Sequence, residues 1–358
     1  MEENGLPGML VSSPVNCFFL TGFEKPNGEF RAIEILLTPK LLFIITSPLY
    51  AEAVKNWSKD VPEKIVREVK IRVSDNKTPT QILSQICKTQ AIKTLGFEGQ
   101  DLKILEYLRL TKSLKGVELT ASDKIFTDLR TIKDSGELEN IKTAARIADT
   151  AFSKIITLIK PGMSEKEAAT EIDYIMRKNG ADESAFETIV AAGENSAVPH
   201  HKTSDRKLKN NEIVLLDFGA RYKGYCSDMS RMVSLGKPKE TEVQAYQLVL
   251  ETQKEALEKI RVGMTGAAAD NISRNFLKKA KHDKFFIHNL GHCLGLNIHE
   301  SPGIGPAGFE KIEEGMVFSV EPGLYFPGKF GIRVEDIVAV INSKIENLTH
   351  SPKELIEL

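Results

Sequence analysis

Two aspartates lie in a segment typical of a β-hairpin. In IVLLDFGARYKGYCSDMSRMV, residues 213–233, strand-like stretches flank the turn signal Tyr222-Lys223-Gly224. Asp217 and Asp228 are equidistant from the middle of that turn, so they are predicted to face each other across the strand pair, with Cβ atoms about 4.5–5.5 Å apart. Because opposed like charges are destabilising and both flanks are apolar, we expect a cation between the carboxylates.

Two glutamates repeat this arrangement in SVEPGLYFPGKFGIRVEDI, where Glu321 and Glu335 each lie seven residues from Gly328 of the predicted turn. Four acids on two hairpins, together with a histidine, favour a pair of divalent ions such as Mn, Co, Fe or Zn with bridging carboxylates, because one ion would hardly need four acids. Pairing with Arg231 or Arg333 is an alternative for one or two of the acids, but it does not explain the symmetry.

Three histidines could complete such a site. His292 and His299 lie seven residues apart in GHCLGLNIHE, and His200 in SAVPHH lies 99 residues before His299. We expect His292 to be the nitrogen ligand, because nearby glycines let the backbone approach closely. His299 and His200 are then predicted to bind the substrate or donate a proton. Taken singly, each could instead be a hydrogen-bonded core histidine.

Several landmarks recur about 100 residues apart. IKPGMS at 159–164 is followed 101 residues later by IRVGMT at 260–265, and each lies between two helical patterns. The helix before the first motif is predicted at about 135–158, and the helix after it opens with a capping-box spacing, Ser164 to Glu167. The sequence therefore predicts two helix–helix–hairpin halves related by an approximate two-fold axis, with the site between them.

The N-terminal part has a different pattern. Strand-like and helical runs alternate there, which predicts a small α/β domain without catalytic residues of its own; the strands are expected at 30–37, 41–46 and 69–73, and the helices at 79–88 and 101–110. A charged connection, 112–133, leads out of it. We therefore expect an N-terminal domain at 1–118 and a catalytic domain at 125–358.

Composition excludes several classes of protein. The formal net charge is −1, with 48 basic and 49 acidic residues. Because no basic block stands out, nucleic acid and anionic membranes are unexpected partners. No apolar run is long enough for a membrane span, and no signal peptide is evident. The cysteines are widely spaced and form no CxxC pair, which favours reduced thiols in a cytoplasmic protein.

These segments resemble the pita-bread metallopeptidases, which include methionine aminopeptidase, aminopeptidase P, prolidase and the metal-free creatinase. The resemblance spans roughly 129–340, and the N-terminal domain, with FFLTGF near its start, looks like the creatinase-type domain. The matching segments are LRTIKDSGELENIK, FETIVAAGENSAVPHH, LLDFGARYKGYCSDMSRMV, IHNLGHCLGLNIHE and GMVFSVEPGLYFPGKFGIRVEDI.

The resemblance implies a role for each matched residue. The implied metal ligands are Asp217, Asp228, His292, Glu321 and Glu335, with Asp228 and Glu335 bridging two ions, of which manganese is the first choice and Co, Zn or Fe are possible. The implied catalytic group comprises Glu321, which takes a proton from the attacking hydroxide, His200 and His299, which stabilise the oxyanion, and Arg333 near the second hairpin. Cys293 stands where the family usually has glycine, which could crowd the pocket or make it oxidisable.

The same resemblance implies an exopeptidase that cuts the bond between an N-terminal residue and proline. Whether it prefers dipeptides or longer peptides stays open, and so do three alternatives: a methionine aminopeptidase-like enzyme, a creatinase-like hydrolase and a non-catalytic binding protein on the same fold. A homodimer is also implied, in which the N-terminal domain packs against the second subunit.

Overall fold

The computed structural model describes residues 5–23, 31–58 and 69–358. The chain divides into two compact units, Met1–Leu129 and Arg130–Leu358. Among the described residues, no helix combines the length and the apolar character needed to cross a membrane.

The first unit is a twisted mixed sheet with helices against it. Its strand order is β4-β3-β2-β1-β5-β6. Successive strand residues point to opposite faces of the sheet, so Leu10 and Met9 lie in two separate hydrophobic cores, one on each face. The elements are β1 (Gly8–Val11), α1 (Pro14–Thr21), β2 (Ile33–Leu37), β3 (Leu42–Thr46), α2 (Ala51–Trp57), β4 (Val69–Val73), α3 (Pro79–Thr89), β5 (Thr94–Phe97), α4 (Ile104–Ser113), β6 (Glu118–Ala121) and α5 (Lys124–Thr131), whose last residues belong to the second unit.

The predicted α/β pattern of this unit is confirmed, but the connection at 112–133 is not a plain linker. It contains β6, which pairs in parallel with β5, and α5. Both elements are short, and β6 is a largely exposed edge strand. The helix α5 buries only Phe126. An edge strand and a helix with so little buried surface leave almost no hydrophobic periodicity, so the sequence pattern missed them.

The described strands of the second unit form two main sheets, flanked by two helix pairs, and two smaller sheets of three and two strands. The main sheets have the orders β20-β12-β9-β8 and β14-β13-β15-β18-β19. The elements are α6 (Ser135–Ile155), α7 (Glu165–Lys178), β7 (Glu183–Ser184), β8 (Ile189–Ala192), β9 (Glu212–Phe218), β10 (Ala220–Tyr222), β11 (Tyr225–Cys226), β12 (Met229–Leu235), α8 (Glu240–Lys259), α9 (Gly266–Lys279), β13 (Gly291–Cys293), β14 (Glu300–Ile304), β15 (Val317–Val320), β16 (Gly323–Phe326), β17 (Phe330–Arg333), β18 (Asp336–Ile341), β19 (Lys344–Asn347) and β20 (Ile356–Glu357), with 3-10 turns at Gly193–Ala197 and Asp283–Phe285.

The predicted internal repeat is confirmed. The pairs α6/α7 and α8/α9 each precede a sheet, and each contributes to a separate hydrophobic core. Ser164 caps α7 in the predicted capping box, in which the Glu167 backbone N donates to Ser164 Oγ at 3.1 Å. Thr265 caps α9 through the equivalent bond from the Ala268 backbone N, at 3.1 Å, but Ala268 has no side chain to return it. Isolated bridges from these two caps, to Lys207 and to Lys311, also recur.

The two hairpins differ in how well their register was predicted. In the first, Asp217 lies opposite Ser230, so the prediction that it faces Asp228 is wrong by two residues. The reason is a two-residue turn, in which Lys223 and Gly224 both have positive φ, 46° and 81°. This turn pairs Tyr222 with Tyr225 and moves the centre of the hairpin.

The second hairpin follows the predicted register. The pairs Gly323–Arg333 and Val320–Asp336 lie on either side of the two glutamates. Continuing the same register through the gap between these pairs places Glu321 opposite Glu335.

Candidate metal centre

All five predicted metal ligands lie in strands of the second unit or in the short gaps between them. Asp217 is near the end of β9, and Asp228 lies in the gap between β11 and β12. Glu321 directly follows β15, and Glu335 lies between β17 and β18. His292 is in β13, at a register shift. All five line one cleft of about 540 Å³, so the structure brings together the residues that the spacing singled out.

Three of these side chains are close enough to share an ion. One ligand atom from each of Asp228, His292 and Glu335 lies within 4.8 Å of the others. His292 Nε2 is 3.6 Å from Asp228 Oδ2 and 3.4 Å from Glu321 Oε1. The other ring nitrogen, Nδ1, is 3.1 Å from the Cys293 carbonyl oxygen. A donated Nδ1–H there leaves Nε2 free to bind a metal.

The carboxylates also carry unused oxygens. Among the residues that the structure describes, no donor reaches Asp217 Oδ1, Asp228 Oδ1 or Glu335 Oε1, although all three atoms are buried. A buried carboxylate oxygen without a partner is costly. Oxygen-rich sites with one imidazole suit divalent ions of the first transition row. The residues present therefore fit the metal pair that the resemblance implies.

Electrostatics support the same conclusion. Burial raises the pKa of Asp228 to about 7; the neighbouring His292 lowers this pKa and the Asp217 charge raises it, so the effect of burial is only partly offset. Burial and the neighbouring acids raise the pKa of Glu335 well above its ordinary value. Burial lowers the pKa of His292, but Asp228 and Glu321 outweigh it and raise that pKa to about 9. Without a cation the cluster would hold protons instead, and divalent ions can replace them.

The guanidinium of Arg333 donates hydrogen bonds to other groups of the protein. It is buried and donates to Ser230 Oγ at 2.8 Å, to Tyr325 OH at 2.6 Å and to Asp217. Ser230 Oγ in turn donates to Glu335 Oε2 at 2.7 Å. One network therefore orients ligands from both hairpins.

Simple ion pairing does not account for the four acids. Only Asp217 pairs with Arg333, and it does so through the oxygen Oδ2, while Oδ1 has no donor among the described residues. Arg231 pairs with Asp336 at 2.7 Å, outside the cluster of ligands. Pairing with an arginine therefore accounts for one oxygen of one of the four acids, Asp217 Oδ2.

The predicted substrate histidines reach the same cleft. His200 and His299 both line it, and the His299 ring is 4.3 Å from the His292 ring, centre to centre. Burial and the neighbouring His292 lower the pKa of His299, so its neutral form is favoured.

Sequence reasoning missed a further histidine, His288, which also lines the cleft. Its Nε2 lies 3.0 Å from Tyr325 OH, and burial lowers its pKa. A signal was available, because His288 precedes His292 by four residues in IHNLGH.

Cys293 does not crowd the site. Its side chain is fully buried in the hydrophobic core of the second half and is not one of the described residues that line the cleft. Burial raises the pKa of its thiol to about 12. The thiolate is the form that oxidises readily, so this position is expected to be inert.

Family models match both parts of the chain. Residues 139–342 match Metallopeptidase family M24, and residues 1–132 match the Creatinase/Prolidase N-terminal domain. The chain belongs to metallopeptidase family M24. The predicted mixed α/β fold with a pita-bread domain and the prediction of a metallo-exopeptidase are thereby confirmed.

Individual relatives agree with this assignment. The Xaa-Pro dipeptidase of Pyrococcus furiosus is 34% identical over 361 residues, which cover 99% of this chain and 97% of the relative. A solved Xaa-Pro dipeptidase from Bacillus anthracis has a TM-score of 0.92 at 35% identity and covers 100% of this chain and 96% of that one. An X-Pro aminopeptidase from Thermotoga maritima MSB8 has a TM-score of 0.89 at 32% identity, with coverages of 99% and 98%.

Proposed function

We propose that this chain is a metal-dependent peptidase that hydrolyses the bond between an N-terminal residue and proline. The observation that carries this proposal is the set of three buried carboxylate oxygens that have no donor among the described residues, near a histidine in an open cleft. The relatives named as Xaa-Pro peptidases support the choice of substrate.

The ligands in this proposal are Asp217, Asp228, His292, Glu321 and Glu335, and manganese is our first choice of metal. Asp228 and Glu335 would bridge two ions, since each keeps a buried oxygen that no described residue uses. When bound, such a pair supplies Lewis-acid activation of the scissile carbonyl and of the attacking water.

The chain's own side chains would handle protons and orientation. Glu321 Oε1 accepts a hydrogen bond from Ser319 Oγ at 3.0 Å, which fixes the carboxylate that we propose as proton acceptor. His200 and His299, on the cleft wall, would donate hydrogen bonds to the developing oxyanion. Arg333 would act as a positioning residue, because its contacts are to Asp217 and Tyr325.

The cleft also suits a proline ring. A bond to proline is a tertiary amide without an N–H, so an enzyme that cuts it must recognise shape more than a backbone donor. Phe186, Ile189 and Ile298 provide apolar surface beside the ligands. We propose that the pyrrolidine ring packs on this surface.

Lys202 offers a means of choosing substrate length. It lines the cleft, is exposed, and makes no hydrogen bond or ion pair with any residue the structure describes. Arg333, the other cleft-lining side chain with a fixed positive charge, is already paired with Asp217. We propose that Lys202 receives the C-terminal carboxylate of an Xaa-Pro dipeptide, which favours dipeptides over longer chains.

Two further features belong to the same proposal. Cysteines 17, 87, 226 and 293 are buried free thiols, which supports a reducing, cytoplasmic location. A homodimer with closed two-fold symmetry is our proposed assembly, since that symmetry is the commonest among oligomers. Native mass measurement tests it, and an active monomer would refute it.

Activity assays with added Mn(II) test the function. We expect hydrolysis of Ala-Pro, weaker hydrolysis of Ala-Pro-Ala, and none of Met-Ala or creatine. Cleavage of Met-Ala but not Ala-Pro would favour the methionine aminopeptidase-like alternative, and cleavage of creatine the creatinase-like one. Metal binding without turnover of any of these would favour a binding protein.

A further inference from the structure

The segment that carries His200 connects β8 to β9 with little regular structure of its own. It begins with the 3-10 turn and continues through Pro199 and His200 to Ser204. Its inner side contacts the second half, where Arg333 donates to the Pro199 carbonyl oxygen at 3.3 Å and the Gly331 backbone N donates to Ser196 Oγ at 2.8 Å. Thr203 Oγ1 also accepts a hydrogen bond from the Val190 backbone N and donates one to the Thr188 carbonyl oxygen, and several further donors converge on one carboxylate.

That carboxylate belongs to Glu165, the first residue of α7, and it is fully buried. Its Oε1 accepts hydrogen bonds from the Ala192 backbone N at 3.0 Å and from Asn195 Nδ2 at 2.8 Å. Its Oε2 accepts from the Ser204 backbone N at 3.1 Å and from Ser204 Oγ at 2.6 Å, and lies 2.9 Å from His201 Nε2. The partners bracket His200 in the sequence, two before it and two after it.

The charge state of Glu165 agrees with such an anchor. Burial alone would raise its pKa, but the hydrogen bonds from Ser204, Ala192, Asn195 and His201 outweigh burial, and the pKa is lowered. A carboxylate with this many donors has its lone pairs satisfied. It also lies at a helix N-terminus, where a negative charge is favoured.

Glu165 is not one of the described residues that line the metal cleft. Any effect on catalysis must therefore pass through the segment it holds. We propose that Glu165 is a positioning residue that fixes the His200 segment, so that His200 is presented to substrate. The bonds of the Glu165 carboxylate go to none of the five proposed metal ligands. This inference rests on the proposed role of His200.

Kinetics of Glu165→Ala and Glu165→Gln test the proposal. We expect kcat/KM for Ala-Pro to fall about tenfold to a hundredfold, because the segment loses a charged hydrogen-bond acceptor. The metal content should not change. Glu167→Ala and Glu167→Gln are the matched controls. Glu167 is in the same helical turn but is exposed, and among the described residues its carboxylate bonds only to the cap residue Ser164 and to Lys207, so the control variants should keep wild-type kcat/KM.

A double-mutant cycle separates positioning from general stability. If Glu165 acts through His200, then His200→Ala should cost much less in the Glu165→Gln background than in the wild type. Additive losses would overturn the proposal. So would loss of metal together with activity in both Glu165 variants.

Limited proteolysis gives a readout that does not depend on activity. Trypsin can cut after Lys202, which lies in the anchored segment and is exposed. Cleavage there should be faster in the folded Glu165 variants than in the Glu167 variants, and equal rates would overturn the proposal. Failure of the proposed function would look different, since wild-type protein with bound Mn(II) would then leave Ala-Pro intact.

Discussion

The residue after the cap of α7 is Glu165, and the corresponding residue of α9, 101 positions later, is Gly266. The backbones around them match. Glu165 N and Lys166 N donate to the carbonyls of Arg206 and Ser204, and Gly266 N and Ala267 N donate to those of Glu310 and Gly308. The side chains do not match, although both helices dock on a loop through the same pair of hydrogen bonds.

In the second half the helix touches its loop directly. A Cβ added at Gly266 would overlap the Gly303 carbonyl oxygen and lie 3.3 Å from the Gly308 Cα, so only glycine fits there. In the first half a buried carboxylate fills the space and reaches the segment that carries His200. The repeated backbone therefore fixes how each helix docks on its loop, whereas the side chain at this position differs because only the loop of the first half carries a residue, His200, that lines the cleft.

The largest effects are expected where the halves meet. Asp228 comes from the first half and Glu335 from the second, and each is proposed to bridge two ions. Asp228→Asn or Glu335→Gln should therefore abolish Ala-Pro hydrolysis and lower the metal content, because each removes a shared negative charge. The exposed Asp205→Asn is the control. Near-normal turnover with full metal in either variant would show that the halves do not share the ions.

Next come the two histidines of the second half. His292→Ala should lose metal, because Nε2 faces Asp228 and Glu321. His299→Ala should keep its metal and lose about a hundredfold or more in turnover, on the scale of a lost acid–base or oxyanion group. Metal analysis and single-turnover kinetics separate the two. Loss of metal in His299→Ala, with metal retained in His292→Ala, would mean that His299 is the ligand and His292 the substrate-binding residue.

Smaller effects should distinguish Glu165 from the corresponding residue of the second half, Gly266. Gly266→Ala should reduce the free energy of unfolding by about 1–3 kcal/mol through overpacking, with turnover per folded molecule preserved. Gly303→Ala, in strand β14 next to the loop, is the control, since among the described residues an added Cβ there has only Asn289 Nδ2, at 3.9 Å, within 4 Å. Urea unfolding measures the first quantity and kcat the second. A loss of turnover in Gly266→Ala without destabilisation would mean that both halves use this position for catalysis.

The smallest expected effect is that of Lys202. Lys202→Ala should raise KM for Ala-Pro about two- to fivefold, the range of an exposed ion pair, and leave KM for Ala-Pro-amide unchanged. Lys209→Ala, an exposed lysine of the same loop away from the cleft, serves as the control. If KM rises equally for Ala-Pro and for Ala-Pro-amide, Lys202 does not bind the carboxylate of the substrate.

How well each hairpin register could be predicted from the sequence depended on the conformation of its turn. The register at Glu321 and Glu335 followed from a symmetric turn, whereas that at Asp217 failed because Lys223 takes a positive φ that lysine rarely adopts. The spacing to His292 could have indicated His288, but its partner Tyr325, 37 residues away, could not be identified from the sequence.

Glu165 was also beyond sequence reasoning. In the sequence it is an ordinary acidic residue in the first turn of a helix, a position where such residues are common. Only the folded loop, with donors at Ala192, Asn195 and Ser204, shows what it holds. Long-range partners of this kind leave no spacing for a pattern to detect.

Metal stoichiometry is the most direct test of a centre built from both halves. Purified protein loaded with Mn(II) and freed of excess ion should contain two ions per chain by mass spectrometry of the metal. Chelation should abolish Ala-Pro hydrolysis, and added Mn(II) should restore it together with both ions. Full activity with no bound ion, or with one ion per chain at saturation, would contradict the shared dinuclear site.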